Sequence, residues 1–554
     1  MKRQKKRRPP KAQTRRRELR LDELIGIVEH AKASLTEEQH ATLKAAVETL
    51  AFLTQELATK GTSIERLRKL IFGASTEKTS QVLGDKQASD GAGAAGAQTP
   101  DGGQSGAAGN EKPKAPGHGR NGAAAYRSAE RVKVPHPTLH SGDDCPACLK
   151  GKVYLLEPSL LVRVRGVAPL LATVYECERL RCNLCGEVYT AEAPEGVGNA
   201  KYDETAASMI GMLKYGCGLP FNRIVKLEQG LGIPLPAATQ WDVVQRAAGP
   251  LAPAHEELIR QAAQGEVLYN DDTVMKILEL MKGHEEEAGA DEPEERTGVF
   301  TSGIVATGDG HRIALFFTGR QHAGENLADV LARRAQELAA PIQMCDALSR
   351  NLPGEFKTIL ANCLTHARRR FVDVADDFPE ECRHLLETLC EVYKNDALTR
   401  QREMSAEERL CFHQAESGPL MADLEEWLRV QIEEHKVEPN SGLGEAIVFM
   451  RKHWLKLTLF LRVPGAPLDN NICERILKKA ILHRKNSLFY KTLNGARVGD
   501  TFMSLIHTAE MNDVQPFDYL VALQRHPEEV AEKPSDWMPW NYQDTLAALA
   551  AQPV

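Results

Sequence analysis

Three carboxylates stand out for where they fall in the chain. Asp271 closes the apolar run Glu266-Val-Leu-Tyr-Asn-Asp, Asp346 closes Pro341-Ile-Gln-Met-Cys-Asp, and Glu474 follows Pro467-Leu-Asp-Asn-Asn-Ile-Cys. Short apolar runs that end in an acid read as strands whose last residue projects from a sheet edge. Neighbouring strand ends lie about 5 Å apart, so two carboxylates there can share hard cations. A third, from a helix packed on that edge, completes a two-metal site of oxygen donors suited to Mg²⁺ or Mn²⁺. Two ions about 4 Å apart activate an attacking oxygen and stabilise a leaving one, which is the chemistry of phosphoryl transfer. Asp272 competes with Asp271 for this role. Alternation along a strand lets one of the pair face the site, and Asp271 is preferred.

The surroundings of Glu474 are basic. Asp469, Asn470 and Asn471 read as a turn and N-cap, with Ile472, Ile476, Leu477 and Ala480 at helical spacing behind them. Glu474 then sits in the first helical turn, near the positive end of the helix dipole. Arg475, Lys478, Lys479, Arg484 and Lys485 follow it, so an acid is held among cations that could grip a polyanion. Taken alone, the stretch also reads as a capped surface helix with an Arg–Glu pair. A second cationic turn, Thr365-His-Ala-Arg-Arg-Arg370, offers His366, Arg368 and Arg369 to a phosphate or simply to solvent.

A different metal is expected upstream. Cys145-Pro-Ala-Cys148 and Cys182-Asn-Leu-Cys185 supply four thiolates, and a β-rich segment between them, Val153 to Val174, could fold back to close one tetrahedral Zn²⁺ site. With all four positions filled, such a site is structural. His140 and Cys177 lie close enough to substitute as ligands.

These groups need several elements to position them, and 554 residues exceed what one core supports. Residues 1–20 form a basic arm with eleven Lys or Arg and one Glu, which leaves the remainder at a net charge of −17. A cationic arm on an acidic body points to polyanion contact in patches. Residues 21–80 carry Leu43, Ala46, Leu50, Leu53, Leu57, Ile64, Leu67 and Ile71 at alternating steps of three and four, a coiled-coil pattern that implies a homo-oligomer. An amphipathic helix packed on its own domain fits the same spacing. Residues 81–124 are a Gly/Ala-rich flexible linker, and 125–200 hold the zinc module.

Over 201–255, helices Ala206–Tyr215, Pro220–Gln229 and Pro236–Arg246 with tight Gly turns suggest a helix-turn-helix unit in which Thr239, Gln240 and Trp241 begin the groove-entering helix. Plain three-helix packing is the alternative. Residues 256–363 alternate strands with a helix over Glu325–Leu338. The strands are the run ending at Asp271, then Val274–Leu280, Val299–Ala306, His311–Thr318 and the run ending at Asp346, with Gly308-Asp309-Gly310 as a hairpin turn. Residues 364–462 read as helical throughout, 463–525 return to the α/β unit, and 526–554 form a tail. No run of about 18 apolar residues and no signal peptide appears, which points to the cytoplasm and excludes a membrane partner.

In order, these motifs resemble the bacterial insertion-sequence 66 family of transposases over residues 40 to 525. Leu67 to Lys78, the paired Cys-x-x-Cys, Lys214-Tyr-Gly-Cys-Gly-Leu-Pro-Phe-Asn-Arg223, Asp271-Asp-Thr273, Asp346-Ala347, Cys363-Leu-Thr-His366-Ala-Arg-Arg, Asp469-Asn-Asn-Ile-Cys-Glu474-Arg475, Arg484-Lys-Asn486 and Ser504-Leu-Ile-His-Thr-Ala509 carry the resemblance. It implies a multidomain α/β protein. The expected parts are a ribonuclease-H-like mixed-sheet core with a helical insertion, an N-terminal coiled-coil helix, a zinc-ribbon-like module and a helical DNA-binding unit. It also implies a DDE transposase, with Asp271, Asp346 and Glu474 as catalytic ligands of two Mg²⁺ or Mn²⁺ ions. Its partners would be double-stranded DNA at terminal inverted repeats and at the target, and small accessory proteins of the same element. Val274, where a Pro often follows the first motif, and Leu348, where an aromatic is usual, depart from the pattern. A catalytically silent DNA-binding or scaffolding protein is the alternative from another class.

Overall fold

In the computed structural model the chain divides into two compact units, Met1–Asp85 and Lys86–Val554. Residues 200–281 and 298–551 are described continuously, together with much of 131–198 and, in the first unit, residues 28, 40, 43 and 44. Those four are helical, with Val28 buried and Leu43 exposed. The basic arm, the linker and most of the expected heptad stretch lie outside the described residues.

A five-stranded sheet organises the second unit. Its strands are β1 (Val267–Val274), β2 (Phe300–Gly308), β3 (His311–Gly319), β4 (Ile342–Cys345) and β5 (Ile359–Asn362), in the spatial order β3-β2-β1-β4-β5. β1, β2 and β3 pair antiparallel, whereas β1–β4 and β4–β5 pair parallel. The two-residue loop Asp309-Gly310 joins β2 to β3 with φ of 49° and 77°. Positive φ at both positions matches the twist of the flanking strands, which is why Asp-Gly serves there. Val274–Leu280 is not a strand as expected. β1 ends at Val274, Ile277 makes one isolated bridge to Tyr490, and the chain turns helical. β5 had no expectation attached to it.

Helix α1 (Glu204–Gly211), α2 (Phe221–Gly230) and α3 (Ala237–Ala262) precede the sheet. A π-helical turn, Met212–Gly216, extends α1. α3 runs on past Arg246 through Pro250 and Pro253. Each interior proline costs about 3 kcal/mol, but Val243, Val244, Leu251, Leu258 and Ile259 on one face are all buried, worth roughly 10 kcal/mol together. Burial therefore overrides the helix breakers. Helix α4 (Ala323–Leu331) follows β3 and is shorter than expected.

After β5 comes the expected helical block: α5 (Leu364–Asp373), α6 (Pro379–Gln401), α7 (Ala406–Glu416), α8 (Gly418–Glu433), α9 (Gly442–Lys452) and α10 (Trp454–Leu457). Its two ends meet, because Leu364 N–H donates to Leu468 O at 3.0 Å. A buried cluster locks it inside: Arg409 bridges Asp396 at 2.7 Å and Ala466 O at 2.9 Å. The chain can thus leave and rejoin the α/β unit at one place.

Helices α11 (Asn471–Ser487) and α12 (Leu493–Met511) complete the unit. α12 covers the edge strand β3 by an unusual device. Asp500, Ser504, Thr508 and Asn512, one turn apart, accept the N–H groups of Thr318, Phe316, Ala314 and Arg312 at 2.7, 3.0, 3.0 and 3.1 Å. Four helical residues rise about 6 Å and two strand residues about 6.7 Å, so the two ladders stay in step over four rungs. The edge is thereby closed to other strands. Residues 526–551, expected as a tail, fold onto this body with Trp537, Met538 and Tyr542 buried.

Upstream, a two-stranded antiparallel hairpin pairs Arg179–Arg181 with Val188–Thr190. The described residues of the segment expected to be β-rich, 153–156 and 167–174, hold no strand, and Tyr154, Leu155, Leu156, Val167, Leu171 and Val174 are exposed. Leu170, in contrast, is buried in the main core. Cys145, Cys182 and Cys185 lie outside the described residues, while Cys148 is exposed. No helix among the described residues is long and apolar enough to cross a membrane.

Candidate active site

The register of the sheet brings the two aspartates level. Tyr269 pairs with Met344, so Asp271 and Asp346 come two residues further along adjacent parallel strands, whose spacing is about 4.8 Å. Asp271 and Asp272 point to opposite faces. Asp271 pairs across β2 with Gly303, and a Cβ on Gly303 would meet Leu477 at 3.0 Å and Cys473 at 3.6 Å, both on α11. Cross-strand partners share a face, so Asp271 looks toward α11. The bare glycine lets that helix come close, and Cys473 Sγ donates to Gly303 O at 3.3 Å.

Asp272 is engaged on the other face. His322, the N-cap of α4, contacts its Oδ2 at 2.8 Å, and Arg350 lies 3.4 Å from its Oδ1. Its charge already has partners, and its side chain is nearly fully buried.

Glu474 reaches the site through the start of α11. The N-cap is Asn470, and Asp469 instead accepts the N–H and side-chain amide of Asn471 at 3.1 and 2.7 Å. The turn and cap fall within the expected Asp469–Asn471 stretch. Glu474 falls in the first turn, and its Oε1 is buried without a hydrogen-bond partner.

Buried amides tie the three acid-bearing segments together. Asn270 donates to Asn351 O at 2.8 Å and accepts from Gln343 at 3.0 Å, while Asn470 donates to Asn270 O at 3.2 Å. Asn351 donates to Asp346 Oδ1. Each amide lies on an acid-bearing strand or within five residues of one of the acids, so a shift of one segment breaks bonds to the others. Asn270, Gln343 and Asn351 were missed because a single Asn or Gln carries no periodic signal. Only spatial convergence gives them a role.

The electrostatics follow from this crowding. The Asp271 carboxyl is pushed up from its ordinary 3.8 to about 7, first by burial and then by the charges of Asp346, Asp272 and Glu474, against one opposing bond from the Asp272 N–H. A cleft of about 310 Å³ opens beside Asp346, lined also by Leu348, His366, Arg369, Arg370 and Phe449. Arg368, in contrast, is buried.

The basic residues divide into two groups. Arg475, Lys478 and Lys485 are exposed on α11. Lys479 lies 3.4 Å from Glu510, and Arg484 donates to Thr273 Oγ1 at 3.1 Å and to Val274 O, fastening the helix to the end of β1. Gln240 corrects the expectation of a groove-reading residue. It is fully buried and donates to Phe221 O and Leu235 O at 3.2 and 3.0 Å, holding α2 to α3. Thr239 is half-buried beside it.

The fold and site define a mixed α/β protein with converging carboxylates beside a basic helix. The chain belongs to the transposase IS66 family, whose profile matches residues 200–498, more than half of its length. Similar proteins from Sinorhizobium fredii (strain NBRC 101917 / NGR234) are uncharacterized protein y4jD, 26% identical over 73% of this chain and 79% of its own, and uncharacterized protein y4hP, 25% identical over 76% of each. No solved structure matches. Membership implies a DNA-binding protein with a transposase function and suggests dependence on divalent metal.

Proposed function

We propose that the protein is a DDE transposase that cleaves the ends of a bacterial insertion sequence and transfers them to target DNA. Asp271, Asp346 and Glu474 are its catalytic carboxylates. The observation that carries this reading is the state of Asp271, a carboxyl lifted to about 7 because burial and three neighbouring acids act on it together. The strand order β3-β2-β1-β4-β5, with β2 antiparallel, supports a ribonuclease-H-like core. The donor set is all oxygen, and Glu474 Oε1 is buried and unbonded, which fits hard divalent cations. Asp271, Asp346 and Glu474 would hold two Mg²⁺ or Mn²⁺ ions. When bound, these supply an activated attacking oxygen and charge stabilisation at the leaving one.

The reaction is hydrolysis of a phosphodiester at each terminal inverted repeat, which frees a 3′-OH. In-line attack of that hydroxyl on target DNA follows. Arg475, Lys478 and Lys485 position the DNA backbone from α11, and Arg369 faces the cleft beside Asp346. Cys145, Cys148, Cys182 and Cys185 hold a structural Zn²⁺ in the preceding module. The heptad stretch makes a homo-oligomer that holds both ends, with accessory proteins of the element as further partners.

The test replaces Glu474 with Gln and assays end cleavage and strand transfer on paired ends with a target plasmid and Mg²⁺. Loss of both activities by about 10²–10³-fold is expected, as for other removed charge-stabilising groups. Undiminished cleavage would sink the assignment. A wild-type chain that binds the repeats but never nicks them with any metal would be a DNA-binding scaffold instead.

A further inference from the structure

Beside the aspartates lies a donor set of a different kind. Cys363, which precedes α5, His366 in the first turn of α5 and Glu474 in the first turn of α11 bring a sulfur, a ring nitrogen and a carboxylate oxygen within 4.8 Å of one another. His366 Nε2 and Glu474 Oε1 stand 3.6 Å apart, beyond a hydrogen bond. Glu474 Oε1 and His366 Nδ1 are both buried and unbonded, whereas buried polar atoms are nearly always paired. Cys363 Sγ already accepts the Asn470 N–H at 3.3 Å. It thus sits where two helix N-termini meet, and their dipoles favour a thiolate.

We propose that Cys363, His366 and Glu474 form a site for a borderline transition ion such as Zn²⁺, which inhibits the protein by capturing Glu474. Thiolate, imidazole and carboxylate are the donors zinc selects, at about 2.0–2.3 Å, so donors in a tetrahedral site lie roughly 3.3–3.7 Å apart. The set must close by roughly 1 Å, within reach of a rotamer adjustment at His366, whose side chain is 27% exposed. On binding, the Cys363 thiol proton passes to solvent, and thiolate and carboxylate together balance the two charges of the ion. The fourth position stays open to water. Mg²⁺ takes oxygen donors and leaves the thiol alone, so the two kinds of metal select different partners for Glu474. Inhibition rests on the role given to Glu474 under the proposed function. Binding does not.

The experiment titrates Co²⁺ into the full-length protein and follows the sulfur-to-cobalt charge-transfer band, with Zn²⁺ as competitor. A component of the band is expected to disappear in Cys363→Ser and to persist in Cys148→Ser. Its affinity should fall about tenfold or more in His366→Ala and in Glu474→Gln. Because Cys363 is buried, His366→Ala serves as the variant that leaves the core intact. Cobalt spectra and affinities that are the same in wild type, Cys363→Ser and His366→Ala would overturn the site. If Glu474→Gln still cleaves DNA while the cobalt component is lost as expected, the catalytic assignment fails and the transition-metal site stands. A Gln variant that is inactive while the spectra never change is the reverse case.

Discussion

Replacing Asp271 with Asn should stabilise the metal-free protein, against the usual expectation for a change in a candidate active site. The carboxyl titrates near 7 when folded and near 3.8 when unfolded. Each pH unit between those values corresponds to about 1.4 kcal/mol, so keeping the charge at neutral pH costs the fold at most about 4 kcal/mol. The sign follows from linkage. With a raised folded value the native state holds the proton longer, so wild-type stability falls as pH rises from about 4 to about 7 and is level beyond. The advantage of the amide is therefore small near pH 4, grows through that window and reaches its full size above pH 7. Urea unfolding followed by tryptophan fluorescence can measure it, since all five tryptophans lie between residues 241 and 540 and report this unit alone. Comparing variant with wild type at each pH also cancels Asp500, whose burial likewise lifts its carboxyl to about 8. Adding Mg²⁺ or Mn²⁺ should stabilise the wild type and do little for the variant. An Asp271→Asn protein less stable than wild type at pH 8 without metal, or equal stabilisation of both by metal, would refute the reasoning.

Other outcomes follow from single contacts. Gly303→Val places a side chain against Leu477 and Cys473. It should cost about 1–3 kcal/mol and reduce the stabilisation by divalent metal, read in the same unfolding assay, because α11 must move off the sheet. Thr508→Val removes the hydroxyl that accepts the Ala314 N–H and donates to the Ala314 carbonyl. A loss of about 1–3 kcal/mol is expected from stranding both groups. Gln240→Ala should cost a similar amount in stability and leave the DNA affinity of the folded protein unchanged in a mobility-shift assay. Lys478→Ala should do the opposite, weakening DNA binding and lowering its salt dependence by about one charge.

Much of this was legible because the signals were periodic or clustered. The strands around Asp271 and Asp346 announced themselves as apolar runs, the Asp-Gly hairpin by its turn chemistry, and the helical block by its spacing. Gln240 misled because a polar residue early in a helix after Gly and Pro looks like a reading head. Its burial depends on α2 folding back over it, and no local pattern records that. The end expected at Arg246 falls short for a related reason, since the face that carries α3 on through Pro250 and Pro253 gains apolar surroundings only when the rest of the domain packs on it.

The Asp271-Asp272 pair separates what each level decides. The sequence alone determines that an acid ends this strand, that another ends a strand further on, and that a third begins a basic helix, since residue type, period and capping are local properties. It also determines that only one of Asp271 and Asp272 can face a given side. Tertiary structure decides which one, by placing Gly303 and α11 against one face and His322 and Arg350 against the other. Crowding of the acids around Asp271, and the gathering of Cys363 and His366 beside Glu474, are likewise decided there. Charge repulsion, burial and metal reach depend on distances between segments up to two hundred residues apart, and a chain acquires those distances only by folding.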